Sequence, residues 1–88
     1  MNILFRESFE KDLRTIRDRS VLARVKAVVE ATEAAPNMRE IAGLKKLKGA
    51  TDYYRIRVGQ YRVGLIVRGN EAVFIRILHR KDIYRYFP

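Results

Sequence analysis

The sequence has no cysteine, a single histidine and no long apolar run. Without cysteine there is no disulfide framework and no thiolate metal site, which excludes small secreted disulfide proteins and zinc ribbons. Without a long apolar run we expect neither a membrane span nor an export signal. No cluster of carboxylates or histidines has the spacing of a metal site, so we expect no metal and no cofactor. These absences favour a cytoplasmic protein whose residues 1–88 form one domain.

Positive charge is abundant and unevenly placed. The formal net charge is +9, from 19 Lys and Arg against 10 Asp and Glu. From Arg39 to Pro88 there are twelve Lys and Arg against four Asp and Glu. This asymmetry is typical of a small domain that binds nucleic acid. On composition alone, a merely soluble basic surface is the alternative.

The segment from Tyr53 to Ile66 predicts a β-hairpin with Gly59-Gln60 as a type II′ turn. In that register Arg57 lies opposite Arg62, and Arg55 lies opposite Gly64. Strand alternation then assigns the core face to Tyr54, Ile56, Val58, Tyr61, Val63, Leu65 and Val67. The opposite side, here named the arginine face, carries Tyr53, Arg55, Arg57 and Arg62, with Gly64 leaving room beside them. Because like charges directly opposite one another destabilise a sheet, the pattern predicts an anionic ligand there.

The rest of the chain predicts an α+β fold: an antiparallel sheet of about four strands with two N-terminal helices packed on one face. A first strand over 2–5 is followed by a helix capped by Ser8 and a second helix capped by Ser20 and ended by Pro36. Residues 38–51 have no clean period and predict a loop with one helical turn or a short strand. A tight turn at Gly69-Asn70 leads into a central strand over 71–78.

Four blocks of the chain together resemble the RelE/ParE toxin superfamily of toxin-antitoxin modules, and the RelE branch more than the ParE branch. They are Phe9-Glu-Lys-Asp-Leu13, Leu47-Lys-Gly49, Tyr54-Arg-Ile-Arg-Val-Gly-Gln-Tyr-Arg62 and His79-Arg-Lys-Asp-Ile-Tyr84. The resemblance implies a fold similar to microbial ribonucleases and metal-independent cleavage of messenger RNA in the ribosomal A site, by attack of the 2′-hydroxyl. It also implies a cognate antitoxin as protein partner, small and with an acidic C-terminal half. The alternative is a ParE-like toxin, not an enzyme, that inhibits DNA gyrase.

The resemblance also implies site residues. Arg55 and Arg57 occupy two basic strand positions of the family, Arg62 its phosphate-binding arginine, Arg80 its arginine near the leaving group and Tyr84 its C-terminal tyrosine. Other candidate contacts to RNA or the ribosome are the lysines Lys45, Lys46, Lys48 and Lys81.

The general base is open in this sequence. Family members commonly have lysine at one or both strand positions, whereas Arg55 and Arg57 are poor proton acceptors at neutral pH. His79 is a candidate catalytic base because its ordinary pKa is near neutrality. Lys48 and Lys81 are further candidates, and charge stabilisation without a base is another.

One conflict remains in the predicted register. Strict alternation beyond Gly69-Asn70 places Ile77 and His79 on the arginine face and turns Arg80 toward the core. Either Arg80 lies past the end of its strand, or a bulge shifts the register.

Overall fold

Two helices and five strands precede a short C-terminal helix in the computed structural model, which describes residues 1–88. In chain order the elements are β1 (Asn2–Phe5), α1 (Glu7–Thr15), α2 (Arg19–Ala34), a 3₁₀ turn (Met38–Glu40), β2 (Lys45–Lys46), β3 (Tyr53–Val58), β4 (Tyr61–Arg68), β5 (Glu71–His79) and α3 (Ile83–Tyr86). None of the helices has the length and apolar character that crossing a bilayer requires.

The five strands form one sheet in the order β1-β5-β4-β3-β2. The α+β class is confirmed, but the predicted count of about four strands is one too low. The additional strand is β2, whose Lys45 and Lys46 pair with Arg55 and Tyr54 in a segment without a clear sequence period. The sheet is also mixed rather than wholly antiparallel, because β1 pairs parallel to β5.

The starts of both N-terminal helices differ from the prediction. Arg6 occupies the N-cap of α1 without a side-chain hydrogen bond, and the Ser8 hydroxyl donates instead to the carbonyl of Ile75, at 2.6 Å. Asp18, not Ser20, caps α2, since its carboxylate accepts from the amides of Ser20 and Val21. The hydroxyl of Ser20 and these two amides lower the pKa of Asp18. Both predicted serine caps are therefore wrong.

The apolar residues of α1 and α2 cover one face of the sheet, as predicted. The core consists of fifteen buried residues: Phe9, Ile16, Val21, Val25, Ala35, Ile41, Tyr54, Ile56, Val58, Val63, Leu65, Val67, Ala72, Phe74 and Ile77. Ile83 and Phe87 are equally buried but lie outside this cluster. They belong to the C-terminal segment, which packs on the arginine face.

Candidate nucleic-acid interface

The hairpin has the register predicted from the sequence. Arg57 pairs with Arg62, Arg55 pairs with Gly64, and Val58 pairs with Tyr61 beside the turn. Gly59 has φ +59°, as a type II′ turn requires of its first central residue. The two strands therefore bring Arg55, Arg57 and Arg62 together on the arginine face.

Arg62 is held by the turn rather than by a carboxylate. Its Nη1 donates to the carbonyls of Gly59 and Tyr61, both at 2.9 Å. These bonds fix the guanidinium at the end of the hairpin and leave its Nε and Nη2 free of protein partners. A guanidinium oriented in this way can make charge-assisted hydrogen bonds to phosphate oxygens.

Four arginines of this region, Arg55, Arg57, Arg62 and Arg80, have no acidic partner. The ion pairs of the protein join Lys11 to Glu7, Arg68 to Asp52 and Arg76 to Asp12, and none of them involves Arg55, Arg57, Arg62 or Arg80. Burial lowers the pKa of Arg62, and the nearby charges of Arg57, Arg55 and Arg80 lower it further. The face thus concentrates positive charge that an anion would offset.

A β-bulge resolves the register conflict. Gly64 pairs with Arg76 and Leu65 with Phe74, so Ile75 has no partner on β4. Beyond this bulge Leu78 lies opposite Arg62, on the arginine face, while Ile77 is 1% exposed in the core. The placement of Ile77 and His79 on the arginine face by strict alternation is therefore wrong.

Arg80 also lies past the end of its strand. β5 ends at His79, and the amide of Arg80 donates to the carbonyl of Gln60 in the hairpin turn, at 2.7 Å. Both explanations of the conflict thus hold. The bulge and the end of β5 at His79 together place Arg80 near Arg62, where its charge lowers the pKa of Arg62.

The space beside Gly64 is filled by protein. A Cβ at this position would lie 2.6 Å from Cδ2 of Phe87, and the Phe87 ring also packs against Tyr53 at a centroid distance of 5.3 Å. The expectation of open space beside the arginines is therefore wrong. With Phe87 and Ile83 buried, Tyr84 is 61% exposed and near Arg62, where it can contact a nucleotide.

His79 is directed away from the arginines. It pairs with Tyr61, and the two rings meet edge to face at 5.9 Å. Its Nδ1 accepts a hydrogen bond from the amide of Lys81, at 3.2 Å. This bond occupies one nitrogen of the imidazole and fixes the ring beside the hairpin turn.

The candidate lysines separate into different locations. Lys45 pairs with Arg55 and therefore shares the arginine face, whereas Lys46 pairs with Tyr54 and points to the other side of β2. Lys48 lies in the exposed loop after β2, and Lys81 lies in the exposed turn after β5. Strand pairing thus brings only Lys45 to the three arginines of the hairpin.

Sequence reasoning missed two features around the arginine face. The first is a cleft of about 690 Å³ along the uncovered part of β3, lined by Arg55, Arg57, Lys45 and Val28 among others. The second is the ion pair between Asp12 of α1 and Arg76, which pairs with Gly64 and so lies on the same face of the sheet as the hairpin arginines. Asp12 could have been identified as a candidate from the sequence, because it belongs to the block Phe9-Glu-Lys-Asp-Leu13. No group of three or more His, Asp or Glu side chains is placed to hold a metal ion.

The fold and this face define a small α+β protein whose sheet carries, on one face, arginines without an acidic partner. The family profile described as the ParE toxin of the type II toxin-antitoxin system, parDE, matches residues 3–84. The chain is 42% identical to Toxin RelE3 of Methanocaldococcus jannaschii, with both chains covered completely. It therefore belongs to the RelE/ParE family of type II toxins, as its sequence blocks predicted.

Solved structures agree with this assignment. The toxin in the RelB-RelE antitoxin-toxin complex from Methanococcus jannaschii superposes with a TM-score of 0.80 at 41% identity, covering 97% of this chain and 99% of that one. The intact E. coli RelBE toxin-antitoxin complex contains a chain that matches with a TM-score of 0.62 at 25% identity, covering 86% and 92%. The sheet and helices described above are those of RelE toxins.

Proposed function

We propose that this toxin is a ribosome-dependent endoribonuclease that cleaves messenger RNA in the A site. The observation that carries the proposal is the cluster of Arg55, Arg57, Arg62 and Arg80 without any acidic partner. We assign residues 1–88 to one toxin domain. Because the proposed target is messenger RNA on the ribosome, the proposal implies a cytoplasmic location.

The reaction needs charge stabilisation more than any other contribution from the protein. The 2′-hydroxyl gives its proton to solvent and its oxygen attacks phosphorus. The bond from phosphorus to the 5′-oxygen breaks, and the 5′-oxygen takes up a proton, so the products carry a 2′,3′-cyclic phosphate and a 5′-hydroxyl. Arg62, anchored by its turn carbonyls, is suited to the oxygens that gain charge, and Arg57 lies directly opposite. Arg80 is assigned to the leaving 5′-oxygen, and the exposed Tyr84 to stacking on or orienting a base.

Proton removal from the 2′-hydroxyl has no dedicated base on the arginine face. His79 would have to release the Lys81 amide before its Nδ1 could accept a proton. We therefore propose that positioning and electrostatic stabilisation provide most of the rate enhancement. His79, Lys48 and Lys81 are then secondary candidates, and Lys45, with Lys46, Lys48 and Lys81 further out, contacts RNA or ribosome phosphates.

A cognate antitoxin is the proposed protein partner. The relatives from M. jannaschii and E. coli were crystallised as antitoxin-toxin complexes. An acidic segment would compensate the unpaired arginines, and the cleft beside β3 offers an uncovered strand edge next to them. Co-expression with the adjacent reading frame should give a tight heteromeric complex.

The test is cleavage of a defined messenger RNA by purified toxin, with and without programmed ribosomes. We expect cuts within A-site codons when ribosomes are present and poor cleavage of naked RNA. Arg62→Ala and Arg80→Ala should each lower the single-turnover rate by on the order of 10²-fold to 10³-fold. Arg68→Ala is the matched control, because Arg68 is paired with Asp52 at the far end of the hairpin. Unchanged rates in Arg62→Ala and Arg80→Ala would disprove the site.

Inhibition of DNA gyrase is the second candidate function. It is favoured by the family profile, whose description names the ParE toxin. A supercoiling assay with purified gyrase separates the two candidates. Loss of supercoiling at stoichiometric toxin, with no RNA cleavage on ribosomes, would establish the alternative.

A further inference from the structure

Two side chains of helix α1 form hydrogen bonds to the backbone at the bulge of β5. β1 ends at Phe5, and α1 continues along the second half of β5, where no strand pairs on that side. The Ser8 hydroxyl donates to the carbonyl of Ile75, the bulged residue, at 2.6 Å. The carboxylate of Asp12 accepts from the amide of Ile77 at 3.1 Å. Side chains of α1 thus bond the backbone at Ile75 and at the second residue after it.

The same carboxylate also holds Arg76. Asp12 accepts from Nε of Arg76 at 2.7 Å and from its Nη2 at 3.0 Å, which is a bidentate pair. The Asp12 and Arg76 side chains are only 13% and 26% exposed, so water screens the pair weakly. The hydrogen bonds from Arg76 to Asp12 raise the pKa of Arg76.

Arg76 connects this pair to the C-terminal helix. Its guanidinium carbon lies 5.7 Å from the ring centroid of Tyr86, a cation–π distance. A continuous path of contacts therefore runs from α1 through Arg76 to α3. The two residues proposed to act at the scissile phosphate and its nucleotide, Arg80 and Tyr84, lie between Arg76 and Tyr86 in the chain.

We infer that Asp12 is a positioning residue, which sets the register of β5 and the position of α3 on the sheet. In this way Asp12 places Arg80 and Tyr84 relative to Arg62. Without the bulge, Leu78 would exchange faces with Ile77, and Arg80 would leave the arginine face. Asp12 is the aspartate of the block Phe9-Glu-Lys-Asp-Leu13 and contacts no proposed substrate group. Only its consequence for cleavage rests on the proposed function.

The structural test compares Asp12→Asn with wild type by amide hydrogen exchange and by NMR of labelled arginine side chains. Asn keeps the size of Asp but not its charge. We expect faster exchange at Ile77 and across residues 79–87, and a shifted Nε–H resonance of Arg62. Asp52→Asn is the matched control, since it weakens a carboxylate–arginine pair far from the bulge. Wild-type exchange and an unshifted Arg62 in Asp12→Asn would overturn the inference.

The kinetic test uses saturating programmed ribosomes. We expect Asp12→Asn and Tyr86→Leu each to lower the single-turnover rate about tenfold, with affinity for ribosomes within about twofold of wild type. The double variant should be little slower than Asp12→Asn, because both changes break one path. Multiplicative losses, or a wild-type rate despite faster exchange at 79–87, would refute positioning. If wild type itself does not cleave, the proposed function fails, and the exchange and NMR results alone decide the placement.

Discussion

Replacing Gly64 by alanine tests how the C-terminal segment is seated on the sheet. The added Cβ would lie 2.6, 2.7 and 2.8 Å from three carbons of the Phe87 ring, whereas carbon atoms in contact are about 3.5–4.0 Å apart. The ring, which is 1% exposed, must therefore retreat by roughly 1 Å. Overpacking of this kind costs about 1–3 kcal/mol, and we expect Gly64→Ala to lower the free energy of unfolding by about 2 kcal/mol. The corresponding fall in Tm is about 8–16 °C.

A double-mutant cycle with Phe87→Ala isolates this contact. Phe87→Ala alone should cost up to about 3–5 kcal/mol. In that background Gly64→Ala should cost nothing, or stabilise by about 0.5–1 kcal/mol, because glycine in a strand carries an entropic penalty relative to alanine. Urea unfolding followed by circular dichroism measures all four proteins, and a reduced slope would report prior detachment of α3. An equal cost of Gly64→Ala in both backgrounds would refute the proposed packing.

Three further predictions concern charge. If the site lacks a general base, Arg57→Lys should maintain or raise the single-turnover cleavage rate at alkaline pH. A loss of rate as large as in Arg57→Ala would show that the guanidinium is required, and His79 would be the next residue to mutate. Lys45→Ala should weaken ribosome binding mildly, and binding measured at lower salt should recover it, as for a rim phosphate contact. Asp18→Ala should lower the Tm at neutral pH. The pKa of Asp18 is lower in the folded protein than in the unfolded chain. The carboxylate therefore stabilises the fold fully above the ordinary carboxyl pKa of about 4, and this stabilisation is lost as the pH falls through the lower folded value. The Tm values of variant and wild type should converge in acid.

The parts of the fold predictable from sequence are those set by local patterns. The hairpin register followed from alternation and the turn at Gly59-Gln60, because a two-residue turn fixes which residues face each other. A bulge was one of the two explanations for the register conflict, but its position at Ile75 was not predictable, since Ser8 and Asp12, which bond the backbone there, are more than sixty positions away. The predicted cap at Ser8 was wrong for the same reason, because its hydroxyl donates to the carbonyl of Ile75 in the sheet and not to its own helix.

The site shows the same division between local pattern and distant contact. The grouping of Arg55, Arg57 and Arg62 was readable because all three lie on one hairpin. The positions of Arg80 and Tyr84 depend on the bulge and on the burial of Ile83 and Phe87, which no local pattern indicates. The sequence blocks predicted these residues only through the resemblance to a family.

The placement of the core explains how the protein tolerates clustered arginines. The fifteen-residue core lies between the helices and one face of the sheet, so the repulsion between Arg57 and Arg62, roughly 0.2–1 kcal/mol for a cross-strand pair, opposes a fold stabilised elsewhere. On the arginine face, the Phe87 ring packs beside Gly64 and against Tyr53. Tyr84 belongs to the four-residue helix α3, so its place in the site depends on how this short helix packs on the sheet. A carboxylate in α1 that reaches it through Arg76 therefore has more influence on the site than its distance suggests.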